Sequence, residues 1–366
     1  MPTDDNAGDG VTGRREPSMI RRTPPTEEDL SGELFELAVG YVYSAALQAA
    51  ARFRIADLLA GGPRTCGELA ESAGVDAASL QRVLRYLATK GVFREDGAGC
   101  FHLTPLADPL RCDAPRSLRD FVLMRGEDVF WRPAGRLHEA VRTGGTVFED
   151  LFGVPFYDYL ATDPALAARF NASMAAFSDT LSDDVARAYD FSAVGGGTGH
   201  VVDVGGGRGG LLRAVLLRHP GLTGVLFELP SVVADHVLDD PVLAGRWSAV
   251  AGSFFDAVPA GGDVYLLKHV LASWPDEEAV RILAECRRAM ADHARLLVVN
   301  ALIPQGNAPH PGKSIDAMMM TVLNGKGRTR DEYEALLDRA GLTVTRVLPV
   351  SPHAAVIEAA RAEAVG

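Results

Sequence analysis

The chain has 366 residues, of which 47% are hydrophobic and 23% are charged, an ordinary mixture for a globular protein with a large core. Its 48 acidic residues outnumber its 36 basic residues, and the net charge of −12 argues against a protein that binds nucleic-acid phosphates. At about 150 residues per domain, this length predicts two domains.

The four cysteines are scattered along the chain and form no CxxC pair: Cys66, Cys100, Cys112 and Cys286. This pattern excludes a zinc ribbon and indicates reduced, cytosolic thiols, so we expect no metal site. No apolar run approaches the roughly 20 residues of a membrane helix, and residues 1–28 lack the apolar stretch of a signal peptide. We therefore expect a disordered tail over residues 1–28, a cytoplasmic location and no membrane partner.

Residues 29–112 are predicted to form a mainly helical dimerisation domain that contains a winged helix. Apolar residues at helical spacing over 30–59 favour packed helices. Residues 66–87 predict two short helices around a glycine turn, and residues 91–96 and 100–104 predict the two strands of a wing. A winged helix commonly binds DNA, but here its second helix carries only a thin basic set (Arg82, Arg85 and Lys90), so we expect dimerisation instead.

Residues 113–188 predict a helical connector, and residues 189–366 predict a Rossmann-like α/β domain. An apolar strand at 201–204 leads into a glycine-rich turn, a helix at 211–218 and a second strand at 225–228 that ends in an acid. Further strands are predicted at 263–268, 296–300, 343–348 and 354–359, with a helix over 276–290.

Glu228 follows the glycine turn by about 20 residues, where a carboxylate accepts hydrogen bonds from two ribose hydroxyls. Asp203 stands two residues before Gly205, and an acid at this position suits a cationic ligand better than a diphosphate. S-adenosylmethionine carries a sulfonium and an ammonium group and has no phosphate. The turn therefore predicts S-adenosylmethionine as the cofactor.

Four motifs resemble the winged-helix O-methyltransferases, a family of plant caffeate and isoflavone enzymes and of bacterial enzymes that modify aromatic natural products. They are VVDVGGGRG at 201–209, FELP at 227–230, GSFF at 252–255 and KHVLASWPD at 268–276. The resemblance extends from about residue 30 to the C-terminus. It implies a homodimer, a small-molecule acceptor and a bound S-adenosylmethionine.

The resemblance also implies roles for individual residues on the cofactor side. Gly205 and Gly207 would line the methionine part of the cofactor, Phe254 and Trp274 would flank the adenine, and Lys268 would contact the cofactor. Ser253 stands where the family has an aspartate, which would weaken or alter one adenine contact.

The chain departs from the family at the positions that usually carry the general base. The family's His is replaced by Ala272, and the two acids that orient this His are replaced by Asn300 and Gly327. Acids that only orient a His have no role without it, so the three changes are interpreted as one functional change. His269, His200 and His310 are not expected to substitute, because a strand would turn His269 away from the face of Lys268 and the other two suit the surface.

Five residues are candidates for contact with the acceptor: Tyr157, Asn171, Met174, Met319 and Asn324. The sequence does not place them, and the run Met318–Met320 fits an ordinary helix core as well as an apolar lining for an aromatic acceptor.

Three hypotheses follow for the function. The first is a methyltransferase for an aromatic or polyketide-like molecule of bacterial secondary metabolism that works without a His base; some bacterial relatives are similar in lacking this His. The second is an enzyme that uses bound S-adenosylmethionine without methyl transfer, for hydroxylation, decarboxylation or cyclisation. The third, a transcription regulator built on the winged helix, is disfavoured by the acidic charge.

Overall fold

A computed structural model describes residues 27–351 and 354–362, which belong to two compact units, residues 1–44 and 45–366. The tail predicted for residues 1–28 lies outside the described residues except for Glu27 and Glu28, with which the first helix begins. The first unit contains α1 (Glu27–Ala38) and the beginning of α2 (Gly40–Arg52). Within the described ranges no single helix is long and apolar enough to cross a membrane, and only residues 29–38 and 40–52, as a bent pair, meet that test together.

The second unit opens with the predicted winged helix. Its helices and strands are α3 (Ile55–Leu59), β1 (Arg64–Thr65), α4 (Cys66–Ala73), α5 (Ala77–Thr89), β2 (Phe93–Glu95) and β3 (Cys100–Leu103). The strands form an antiparallel sheet in the order β1-β3-β2. Thr65 and Glu68 form a capping box that fixes the start of α4, and the Asp76 side chain caps α5. Both predicted helices and both wing strands are present, whereas β1 was not predicted.

The segment predicted as a connector consists of short helices followed by one long helix. Its helices are α6 (Arg119–Met124), α7 (Asp128–Ala134), α8 (Leu137–Thr143), α9 (Phe148–Phe152), α10 (Phe156–Thr162) and α11 (Pro164–Ala188). The helix α11 begins where the side chain of Asp163 accepts a hydrogen bond from the Leu166 amide and Pro164 occupies the first turn.

The rest of the chain builds a seven-stranded sheet with helices on both faces. Its elements are β4 (His200–Val204), α12 (Gly210–Arg218), β5 (Thr223–Glu228), α13 (Pro230–Val233), β6 (Trp247–Ala251), β7 (Val264–Lys268), α14 (Asp276–Ala289), β8 (Arg295–Asn300), α15 (Pro311–Val322), α16 (Arg330–Arg339), β9 (Leu342–Ser351) and β10 (Ala354–Arg361). The strand order is β6-β5-β4-β7-β8-β10-β9. The strands β4 to β8 are parallel, and β10 runs antiparallel to both of its neighbours.

The central strands are mostly apolar because both faces of the sheet are covered. Val202 and Leu267 pack into the core on one face, whereas Val201 and Leu266 pack into the core on the other, and all four are fully buried. The predicted fold class is confirmed: a Rossmann-like α/β domain follows a mainly helical N-terminal region with a winged helix. This topology brings the carboxyl ends of β4, β5 and β7 to one edge of the sheet, where parallel α/β sheets bind ligands.

Candidate functional site

The glycine-rich turn after β4 requires backbone conformations that favour glycine. Gly205, Gly207 and Gly209 have φ angles of 64°, 59° and 86°. A Cβ atom added to Gly205 would lie 2.9 Å from Val270 Cγ2 and 3.2 Å from Phe254 Cε1. The turn therefore leaves no room for a side chain here, and it brings the first predicted glycine against the predicted adenine-flanking Phe254.

Asp203 lies beneath this turn and is completely buried. Its Oδ2 accepts a hydrogen bond from the Leu212 amide at 3.3 Å, and its Oδ1 has no hydrogen-bond partner among the described residues. Burial raises the pKa of Asp203 to about 6, although the nearby Lys268 ammonium lowers it. Asp203 thus ties the turn to α12 and keeps one buried oxygen available.

Glu228 ends β5 and points its carboxylate back at the glycine turn. Oε2 accepts a hydrogen bond from the Gly207 amide at 3.0 Å, and Oε1 accepts one from the Leu229 amide at 2.7 Å. Burial raises the pKa of Glu228, which these two backbone hydrogen bonds oppose. The structure therefore brings the predicted ribose-binding acid next to the predicted methionine-binding turn.

An aromatic wall stands beside the turn. The rings of Phe254 and Phe255 meet Trp274 edge-on, with centroid distances of 6.0 and 4.7 Å. On its other side Trp274 stacks against Tyr157, with a centroid distance of 6.2 Å and an interplanar angle of 24°. Ser253 accepts a hydrogen bond from the Phe255 amide through its Oγ at 3.2 Å. The acceptor-side candidate Tyr157 is thereby joined to the predicted cofactor pocket.

Lys268 lies at the end of β7 and reaches α11. Its Nζ donates to Ser182 Oγ at 2.8 Å and also contacts Ser178 Oγ. This arrangement places the ammonium group between the connector and the turn that contains Asp203. The two serines were not singled out from the sequence, because they lie about 90 residues before Lys268.

The turn that contains Ala272 is held by a buried arginine. Residues 271–273 form one 3-10 turn, and Arg328, which is completely buried, donates to the carbonyl oxygens of Leu271 and Trp274 at 2.8 Å each. The same guanidinium donates twice to Asp276 Oδ1, at 2.8 and 3.0 Å. Sequence analysis did not single out Arg328, which lies directly before the Thr329 capping box.

Gly325 brings a second chain segment against the same turn. A Cβ atom added to Gly325 would lie only 2.1 Å from the carbonyl oxygen of Ala272. The backbone of Ala272 is therefore held in place by packing against Gly325 and by the hydrogen bonds from Arg328 to the carbonyl oxygens of Leu271 and Trp274. Its methyl side chain takes no part in either contact.

Asn300, which is buried at the end of β8, and His269, which is half-buried just beyond β7, form a pair. His269 Nδ1 lies 3.3 Å from Asn300 Oδ1, and Asn300 Nδ2 has no hydrogen-bond partner among the described residues. Burial and the neighbouring Lys268 lower the pKa of His269 to about 4. The expectation that strand alternation would orient His269 was wrong: β7 ends at Lys268, and His269 has a φ of 59°.

An acid does lie at Gly327, but it comes from a different part of the chain. Asp316, on α15, accepts a hydrogen bond from the Gly327 amide through Oδ1 at 2.5 Å. A Cβ atom at Gly327 would lie 3.2 Å from Asp316 Cβ and 3.0 Å from Ile303. The space beside Gly327 is thus already used by side chains that sequence spacing did not reveal.

The other acceptor-side candidates are more dispersed. Asn171 and Met174 lie half-buried on α11, and Met319 lies half-buried on α15. Asn324 is exposed, and its Oδ1 accepts a hydrogen bond from the Thr146 amide at 3.1 Å. Asn324 therefore fastens the connector to the loop that follows α15.

The chain matches two family models. The O-methyltransferase domain model matches residues 135–343, and the O-methyltransferase dimerisation domain model matches residues 35–110. This chain belongs to the O-methyltransferase family. It is 40% identical over 332 residues to phenazine O-methyltransferase PhzM of Lysobacter antibioticus, covering 90% of this chain and 96% of that protein.

Two further relatives of this O-methyltransferase family member bear on its chemistry. The crystal structure of CalO1, a methyltransferase in calicheamicin biosynthesis, in its SAH-bound form, is 42% identical and superposes with a TM-score of 0.83, covering 92% of this chain and all of that one. Aclacinomycin 10-hydroxylase RdmB of Streptomyces purpurascens is 36% identical over 330 residues, 87% of this chain and 86% of that protein.

Proposed function

We propose that this O-methyltransferase family member transfers a methyl group from S-adenosylmethionine to an aromatic or polyketide-like small molecule of bacterial secondary metabolism, without a histidine general base. S-adenosylmethionine is the cofactor. The residues at the carboxyl edge of the sheet suit this cofactor, because Gly207 has open space where a side chain would lie and Asp203 keeps a buried oxygen without a partner among the described residues. The cofactor, when bound, supplies a methyl group on a positively charged sulfur.

The chain's own residues hold the two reactants. Glu228 exchanges its hydrogen bonds with the turn for ribose hydroxyls, and Gly205 and Gly207 let the methionine part approach the backbone. Phe254 and Trp274 provide apolar ring surfaces for the adenine. Lys268 and Asp203 set the local charge, and Ser253 keeps the turn before Phe255 closed.

The observation that carries the proposal is the turn at Ala272. Arg328 and Gly325 fix the backbone of this turn, yet the side chain that it offers to the reaction cannot accept a proton. His269 is half-buried and its pKa is lowered to about 4, which makes it a weak base at neutral pH. Holding acceptor and methyl group in line then provides most of the rate enhancement, and the acceptor must ionise by itself or be an amine.

The acceptor lies on the connector side of Trp274 in this proposal. Tyr157 stacks on Trp274, and its hydroxyl donates a hydrogen bond to Ser273 Oγ at 3.4 Å. We therefore propose Tyr157 as the main residue in contact with the methyl-accepting substrate. Asn171, Met174 and Met319 supply polar and apolar lining, and Asn324 shapes the loop beyond α15.

We also propose that the protein acts as a homodimer. The dimerisation domain model covers residues 35–110, and α1 carries exposed apolar side chains at Leu34, Phe35 and Leu37. Light scattering at micromolar concentration should give a dimer for the full chain and a monomer after deletion of residues 1–38. A monomeric full chain would contradict this assignment.

The experiment that tests the function combines mass spectrometry with cofactor binding. The purified protein is incubated with S-adenosylmethionine and a panel of phenols, quinones and amines, and we expect one acceptor to gain a methyl group with release of S-adenosylhomocysteine. Glu228→Gln should weaken S-adenosylmethionine binding by about 1–3 kcal/mol, since two hydrogen bonds to ribose weaken. Glu71→Gln, on the exposed surface of α4, is the matched control and should change nothing.

The second candidate function is chemistry on the bound acceptor without methyl transfer. The similarity to aclacinomycin 10-hydroxylase favours keeping it, together with the absence of a base at Ala272. In the same incubation, a product of altered mass or connectivity alongside unconsumed S-adenosylmethionine would support this candidate and contradict methyl transfer.

A further inference from the structure

His269 is the residue at which the chain leaves β7, and the proposed reaction gives it no role. Its φ of 59° lies in the region that favours glycine, and over residues 27–351 and 354–362 the only other non-glycine residue with a positive φ is Arg54. The His269 amide donates to the carbonyl oxygen of Val299 at 3.0 Å, which continues the hydrogen bonding of β7 to β8. The chain therefore turns sharply, directly after its last bond to the sheet.

The turn after His269 packs against the predicted methionine-binding turn. Val270 is buried and has helical backbone angles (φ −77°, ψ −57°), and residues 271–273 continue as the 3-10 turn. A Cβ atom added to Gly205 would lie 2.9 Å from Val270 Cγ2, so the Val270 side chain fills the space beside Gly205. Because Val270 follows His269 directly, the backbone angles of His269 decide where this side chain lies.

Asn300 holds the ring of His269 beside β8. Asn300 is the last residue of β8 and is 3% exposed, and its Oδ1 lies 3.3 Å from His269 Nδ1. An amide oxygen accepts hydrogen bonds and cannot donate, so Nδ1 carries the proton of the neutral ring. Burial and the neighbouring Lys268 lower the pKa of His269 to about 4, so the ring is neutral at physiological pH. The pairing therefore persists over the physiological pH range.

We propose that His269 is a positioning residue for cofactor binding and that Asn300 acts through it. The positive φ of His269, which the contact with Asn300 stabilises, directs Val270 onto Gly205 and so sets the shape of the glycine turn. An asparagine at this place then serves residue 269 and is needed whatever side chain stands at residue 272. This inference rests on the cofactor site of the proposed function, but it does not depend on methyl transfer.

The test compares substitutions that differ in their tolerance of a positive φ. Asparagine is enriched in this region, whereas a β-branched valine is an outlier there. Calorimetry with the full-length protein gives the affinity for S-adenosylhomocysteine, and urea unfolding is measured in parallel. We expect His269→Val to weaken binding roughly tenfold or more, and His269→Asn to stay within about threefold of the wild-type protein.

Arg54→Val is the matched control, because Arg54 has a φ of 55° and immediately precedes α3 of the winged helix. It introduces the same kind of backbone strain, so it should lower the midpoint of urea unfolding and leave the affinity for S-adenosylhomocysteine unchanged.

Three results would overturn the role of His269. The first is a folded His269→Val that binds S-adenosylhomocysteine as tightly as the wild-type protein, because His269 would then be merely structural. The second is an equal loss of affinity in His269→Asn and His269→Val, because backbone conformation would then not be the cause. If His269→Val does not fold, His269→Ala takes its place, with an expected loss of about threefold to tenfold, and unchanged affinity in this variant is the third.

The role of Asn300 is tested in two backgrounds. Asn300→Leu removes the oxygen that His269 Nδ1 contacts, and with His269 present we expect it to weaken S-adenosylhomocysteine binding about threefold or more. In a His269→Gly background it should add no further loss, because no ring remains to be held. An equal loss in both backgrounds would show that Asn300 does not act through His269.

The variant Glu228→Gln separates this inference from the proposed cofactor site. If Glu228→Gln weakens binding and His269→Val does not, the cofactor site stands and the role of His269 is refuted. If His269→Val weakens binding and Glu228→Gln does not, the ribose contact is wrong and His269 remains a positioning residue. Methyl transfer does not enter either result, because S-adenosylhomocysteine carries no methyl group to transfer.

Discussion

Replacing Arg328 by lysine tests whether a buried guanidinium holds the turn at Ala272. Arg328 has no exposed surface and makes four short hydrogen bonds to three groups, the carbonyl oxygens of Leu271 and Trp274 and the carboxylate of Asp276. A lysine ammonium cannot reach all three groups from one position, so at least one buried carbonyl loses its donor. Each such loss costs about 1–3 kcal/mol, and the Asp276 contact adds less because that carboxylate is partly exposed. We expect Arg328→Lys to lower the free energy of unfolding by about 2–4 kcal/mol.

The assay is urea unfolding followed by circular dichroism, with S-adenosylhomocysteine affinity measured in parallel. Arg330→Lys is the matched control, because Arg330 is exposed and pairs only with Glu334 four residues on, an interaction of about 0.3–0.5 kcal/mol. We expect the affinity to fall with Arg328→Lys, since Trp274 shifts when its carbonyl is released. Equal unfolding midpoints for the two variants would refute the role assigned to Arg328.

Three further predictions concern the same site. Because burial raises the pKa of Asp203 to about 6, we expect calorimetry to show weaker S-adenosylhomocysteine binding as the pH falls from 8 to 5, with Asp203→Asn flattening this dependence. The folded protein holds the proton on Asp203 more tightly than the unfolded chain does, so protonation of Asp203 stabilises the fold as the pH falls from about 6 toward 4. The expected loss of S-adenosylhomocysteine affinity in this range therefore does not result from unfolding. The double change Ala272→His with Asn300→Glu should raise the rate of methyl transfer more than Ala272→His alone, and it should add an ionisation near pH 6–7 to the pH–rate profile. A large gain in rate from the single change would contradict the need for an orienting partner. Gly325→Ala should impair cofactor binding, because its Cβ would lie 2.1 Å from the Ala272 oxygen, whereas Gly97→Ala, which has open space around it, should not.

The elements of the sheet were predictable because their local chemistry is explicit. The runs that form β4, β5, β7 and β8 are apolar, and Glu228 closes the second of them beside the glycine turn. The edge strand β6 was not predicted: its five residues are a short segment, and four of them are exposed. The order and type of these elements could be predicted because the hydrophobic pattern of a sequence indicates which residues are buried.

The contacts within the site were harder to predict because they join distant parts of the chain. Tyr157 meets Trp274 across 117 positions, and Arg328 reaches back more than 50 positions to Leu271. Neither separation corresponds to a helical or strand period, so only the folded chain brings these residues together. Similarly, no spacing rule indicates that Asp316 fills the space beside Gly327.

The turn at Ala272 is held through its backbone. Arg328 binds carbonyl oxygens, and Gly325 packs against a carbonyl oxygen, so neither contact depends on the side chain at Ala272. We therefore expect the backbone of this turn to keep its position when Ala272 is replaced by histidine. The position of the methyl group is therefore set independently of the base. Under the proposed function, orientation of the acceptor then comes from the connector side, where Tyr157 stacks on Trp274.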